Sequence, residues 1–136
     1  MEDRIKDKIL DIEKYLEELE GIIPNTFGEY DGSIEKKAAG ERYFEKIVEA
    51  VVDLAYLIIR KKQFNMPESE DQAFVILENK NIISQKLSKN LQNAKSMRNF
   101  IIHRYAEINN ELVFNAISEE LEKDIKEFVE IIKRMR

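Results

Sequence analysis

The nine residues MRNFIIHRY, positions 97–105, hold the only histidine of the chain, His103, with Arg98 five residues before it and Tyr105 two after. An imidazole changes protonation near neutral pH and can serve as acid or base, while a guanidinium stays charged and presents a planar fork matched to phosphate oxygens. A phenol can orient a phosphate or a water. Asn99 and His103 are four apart and share one helix face, whereas the five-residue step from Arg98 to His103 is a rotation of about 140°. A site that uses both lies between them or is completed by another chain.

The elements that must position these residues read as helices. Ile5, Ile9, Ile12, Leu16 and Leu19 form a stripe over residues 2–20, ended by Gly21 and Pro24. The turn-rich PNTFGEYDGS leads to Ser33, an N-cap candidate, and a long pattern from Ile34 to about Lys61. Ser69 and Gln72 form a capping-box signature for a short helix to about Asn79, and Ser84 caps a fourth. That helix is striped by Leu87, Leu91, Ala94 and then positions 98, 101 and 105, so Arg98 stands in a core slot. A last helix, about 111–136, carries Leu112, Ile117, Leu121, Ile125, Phe128 and Ile132. The expected fold is all-α, an antiparallel bundle of about five helices in a single domain over residues 1–136.

A buried charge costs several kcal/mol unless it is paired, so Arg98 asks for a partner or a wet cleft. Asp53 is the only charge in AVVDLAYLII on the second helix. With Glu49 one turn earlier, it is the expected partner of Arg98. From Asn79 to Ala106 there is no acid but there are six basic residues, Lys80, Lys86, Lys89, Lys95, Arg98 and Arg104, in a chain of net charge −5. Such asymmetry makes a local phosphate-attracting surface on an acidic protein.

The absence of cysteine excludes disulfides and thiolate metal sites, and one histidine weakens any zinc reading. The charged N-terminus and the lack of an apolar run of about 18 residues argue against a leader or membrane span, so a cytoplasmic setting is expected. Each motif residue also has a plainer reading: a structural histidine, an interfacial salt bridge at Arg98, a core aromatic at Tyr105, and a solvated basic face. Their coincidence on one helix favours chemistry.

Arg98, His103 and Tyr105, in the pattern R-x4-H-x-Y, resemble the signature of HepT-like toxins, a branch of the HEPN superfamily. ERYFEKIVEAVVDLAYLII, SEDQAFVILENKNIIS and NAKSMRNFIIHRY fall in that family's order and spacing, so the resemblance covers nearly the whole chain. It implies a metal-independent endoribonuclease toxin that acts as a homodimer, with two motifs facing across an RNA-binding cleft. Arg98 and His103 would be the catalytic pair and Asn99 the polar residue that often follows the arginine. Tyr105 would be the target of AMPylation by an antitoxin, a MntA-type minimal nucleotidyltransferase that uses ATP. No metal, membrane or cofactor of the toxin's own is implied. Lys89, Lys95 and Arg104 are the basic residues placed to meet RNA.

RNA is cut without metal when its 2′-hydroxyl attacks the adjacent phosphorus, which needs a base, an acid and positive charge on the phosphorane. One histidine per chain cannot supply an acid–base pair, but two facing chains can. Two other functions fit the same residues: a non-catalytic helical module that binds a nucleotidyltransferase and helps present its substrate, and a structural dimerisation bundle.

Overall fold

The computed structural model of the chain describes residues 2–103 and 108–135. Its elements are α1 (Glu2–Ile22), α2 (Phe27–Asp31), α3 (Ile34–Lys61), α4 (Glu70–Asn79), α5 (Gln85–His103), α6 (Asn110–Asn115), a π turn (Ala116–Glu120) and α7 (Leu121–Arg134). Among the described residues there is no strand, and no helix is long and apolar enough to cross a membrane.

Local chemistry sets the starts of these helices. Ser33, Ser69 and Ser84 each accept a hydrogen bond through Oγ from the amide three residues on, at 3.1, 3.1 and 3.0 Å, satisfying a donor that the first turn leaves open. The ends of α3 and α4 are closed by left-handed residues, Gln63 (φ 59°) and Asn81 (φ 60°), and the next amide reaches back to Ile59 or Leu77. PNTFGEYDGS is not wholly a loop. Thr26 caps the one-turn α2, which buries Tyr30, and a five-residue helix enclosing Gly28 is too short to show a stripe.

α1 lies along α3, and α3 also contacts α2, α4, α5 and α6. The stripe of α1, the broad apolar surface of α3 and the inner residues of α7 join one core centred on Phe44, Ile47, Leu54, Phe74 and Phe128. α3 crosses the short helices at Gly40, where a Cβ would lie 2.9 Å from Ile117 Cδ1 and 3.0 Å from Tyr30 Cε1. The absence of a side chain there lets three elements meet. The last helix begins at Asn110, capped by Asn109, and the π turn divides its continuous helical run.

Candidate active site

α5 is the element on which the motif sits. Leu87, Leu91, Arg98 and Ile101 all face the interior, so the seam runs through the arginine as the spacing requires, and Arg98 is only 6% exposed. Three of its five N–H donors are met locally. Nε donates to Asn99 Oδ1 at 3.0 Å and Nη2 donates to the same oxygen at 2.7 Å. Nη2 also donates to Oε1 of Glu70, the first residue of α4. One acceptor is thus chelated by two donors along one edge of the fork, and a carboxylate closes the corner.

Asp53, expected as the partner of Arg98, is not its partner in the chain. Its carboxylate is exposed and lies 3.4 Å from Lys8 Nζ on the rim between α1 and α3. Glu49, also expected there, is exposed on the same helix. The apolar run around Asp53 is buried on several sides because α3 is the central helix, but Asp53 takes the one angular position that opens to a polar groove with Lys8, Asp11 and Tyr56. A lone charge in an apolar run marked a gap in the packing rather than a buried ion.

The residues missed by the sequence reading are Glu70 and Asp71, in the first turn of α4. Acids there suit the positive end of the helix dipole, and nothing local shows that they face α5. They meet two of the six basic residues: Arg98 bonds Glu70, and Lys95 bonds Asp71 at 3.0 Å. Lys95, placed by the sequence reading on an open RNA surface, is therefore committed to a carboxylate, and its side chain is 14% exposed. Lys89 is exposed with no ion pair among the described residues. Tyr56 of α3 completes the surround. Burial pushes the pKa of its hydroxyl up, and the Glu70 carboxylate adds to the effect.

His103 is the last residue of α5 and is exposed. Asn99 lies one turn earlier on the same face. Arg98 thus points into the protein and His103 points out, as the rotation between them demands, and Asn99 on the face of His103 holds the arginine. Tyr105 and Arg104 lie outside the described residues. An apolar cleft of about 340 Å³ opens between α5 and α6, lined by Met97, Phe100, Ile108, Leu112 and Val113. Phe100 and Leu112 are exposed large apolar residues.

An all-helical bundle whose central long helix supports an arginine–histidine motif on a partner helix defines the HEPN class. Residues 12–132 match the model of the family described as Ribonuclease HepT-like, and the chain belongs to that family. It is 35% identical over 89 residues to the mRNA nuclease HepT of Shewanella oneidensis, a match covering 65% of this chain and 66%, just under two thirds, of that protein. It is 28% identical over 107 residues to the tRNA nuclease HepT of Aphanizomenon flos-aquae, covering 79% of this chain and 73% of that one. A solved structure of a tri-AMPylated Shewanella oneidensis HEPN toxin in complex with MNT antitoxin superposes with a TM-score of 0.90 at 28% identity, covering 98% of this chain and 99% of the other. A toxin–antitoxin crystal structure with AMP-PNP gives the same score at 26% identity, covering 97% and 98%.

Proposed function

We propose that the chain is the ribonuclease toxin of a toxin–antitoxin pair and that it cuts RNA without metal at a cleft between two copies. The observation that carries this is the state of Arg98: a charged side chain in a core seam of a HepT-like helix, held by its neighbour Asn99, one turn from an exposed His103. Relatives named for mRNA and tRNA cleavage support an RNA substrate. Exposed Phe100 and Leu112 give an apolar rim beside the motif that a second copy would cover.

In this reading the Arg98 guanidinium stabilises negative charge on the pentacoordinate phosphorus. His103 of one copy takes the 2′-hydroxyl proton, and His103 of the facing copy protonates the leaving 5′-oxygen. The products are a 2′,3′-cyclic phosphate and a 5′-hydroxyl. Tyr105 is the regulatory position. A nucleotidyltransferase antitoxin would join its phenolic oxygen to the α-phosphorus of ATP, release pyrophosphate, and leave a bulky anion in the cleft that repels RNA. The likeness to a tri-AMPylated toxin bound to MNT antitoxin supports this step.

The test is cleavage of labelled RNA in EDTA by wild type, Arg98→Ala and His103→Ala of equal helicity, with the fragment ends identified. Cyclic-phosphate ends lost in both variants establish the reading. Cleavage that stops in EDTA, or that both variants retain, overturns it.

A further inference from the structure

Resting on the proposed ribonuclease function, we infer that Glu70 is a positioning residue: together with Asn99 it locks the Arg98 guanidinium in one orientation and leaves a single nitrogen for the scissile phosphate. An arginine has five N–H donors. Three of them are used here. Nε–H and one Nη2–H converge on Asn99 Oδ1 at 3.0 and 2.7 Å, and the second Nη2–H goes to Glu70 Oε1. Among the described residues no bond is made by Nη1, so its two N–H groups are the donors open to a ligand.

Glu70 is placed by the start of its helix. It is the first residue of α4, directly after Ser69, whose Oγ caps the helix by accepting from Gln72 at 3.1 Å. Asp71 beside it is tied to Lys95 of α5 at 3.0 Å. α4 and α5 are therefore pinned together by two ion pairs, one from each of two successive residues. Tyr56 of α3 stands close enough for the Glu70 charge to raise its pKa. The carboxylate is thus carried at the start of a capped helix and paired with Arg98, while its side chain stays 36% exposed at the rim.

Two consequences separate this role from simple stabilisation. A preorganised donor acts on the transition state because no reorientation is needed as charge develops, so loosening it lowers kcat. The Glu70 charge meanwhile sits against the phosphate-binding cation, and removing it makes ground-state phosphate binding no weaker. A positioning carboxylate therefore predicts a fall in kcat with KM unchanged or lower. A merely structural one predicts less folded enzyme with the same kinetic constants per active molecule.

The experiment compares full-length wild type, Glu70→Ala and Glu70→Gln in steady-state RNA cleavage, with active-site concentration set by single-turnover amplitude and folding checked by circular dichroism. Glu70→Ala is expected to lose about 10- to 100-fold in kcat without a rise in KM, a loss of the size expected for small misplacements of catalytic groups. Glu70→Gln, which retains an acceptor oxygen at the same reach, is expected to recover to within about threefold of wild type, a rescue that the neutral acceptor alone can give. Wild-type kcat in folded Glu70→Ala, or a loss carried entirely by KM, overturns the inference while leaving the ribonuclease reading intact. A wild-type protein that cleaves no RNA overturns both.

Discussion

Arg98→Lys keeps the charge and removes the fork, so it separates geometry from electrostatics. The ammonium can still pair with Glu70, but a single nitrogen cannot reproduce the parallel Nε and Nη2 contacts to Asn99 at 3.0 and 2.7 Å while holding a further donor outward. Loss of a preorganised transition-state donor costs about 10²- to 10³-fold in rate, or about 3–4 kcal/mol. The fold should suffer less. One or two hydrogen bonds to a neutral acceptor are lost, at about 1 kcal/mol each, and the retained ion pair keeps the buried site charge-compensated. At about 4 °C per kcal/mol for a chain of this size, the melting temperature should fall by about 4–8 °C. Single-turnover cleavage at saturating protein, well below the melting transition, reads the chemical step. Arg98→Lys cutting within tenfold of the wild-type rate would refute the claim that the fixed guanidinium geometry matters, because charge alone would then suffice.

Three further substitutions test the frame around the site. Tyr30→Phe should stabilise the protein by about 1–2 kcal/mol in chemical denaturation, because the fully buried Tyr30 hydroxyl has no hydrogen-bond partner among the described residues; a loss of stability would show that the hydroxyl is satisfied. The same residue shapes the alkaline limit: burial, then the charges of Glu41 and Asp31, raise its pKa above the ordinary tyrosine value. Its contribution is fully present below the unfolded value of about 10 and lost as pH rises beyond it, so wild type should weaken above pH 10 more steeply than Tyr30→Phe in melts across that range. Gly40→Ala gains about 1 kcal/mol of helix propensity but drives a methyl to 2.9 Å from Ile117 and 3.0 Å from the immobile Tyr30 ring, so a net loss of about 1–2 kcal/mol is expected and a higher melting temperature would contradict the packing. Asp53→Asn removes only an exposed pair with Lys8 and should leave stability within about 0.5 kcal/mol and RNA cleavage unchanged; a large loss of cleavage would restore Asp53 to the site.

The helices were legible because their signals are local. Ser33, Ser69 and Ser84 cap by bonds three residues long, and the stripes of α1 and α7 repeat every three or four residues, so neither needs knowledge of the fold. The same seam arithmetic put Arg98 in the core. Its partner was not legible, since periodicity fixes which way a residue faces on its own helix and not which helix lies opposite. Asp53 and Glu70 were indistinguishable on that ground. Asp53 looked buried because its neighbours are, and Glu70 looked like an ordinary first-turn acid. The choice is made by the crossing of α4 over α5, a long-range feature that sets residues 28 apart in hydrogen-bond contact.

That crossing also changes what the acid-free segment can do. Six bases and no acids over residues 79–106 suggest a continuous cationic face, yet Lys95 and Arg98 are neutralised by Asp71 and Glu70 and Lys80 lies over the Phe64 ring at 4.9 Å. Among the described residues, what α5 exposes near His103 is uncharged, Ser96 and Phe100 beside the half-buried Asn99, with Lys86 and Lys89 further along the helix. A surface like this attracts RNA weakly from a distance, because long-range steering depends on uncompensated charge. It favours close contact through hydrogen bonds and apolar packing. In the proposed pairing of two copies, the few free cations would be doubled and a second His103 would come to the cleft. Under the proposed pairing, one device would accommodate both the acidity of the chain and its single histidine: a site that each copy half contains, with an arginine that Asn99 and Glu70 already orient within one copy.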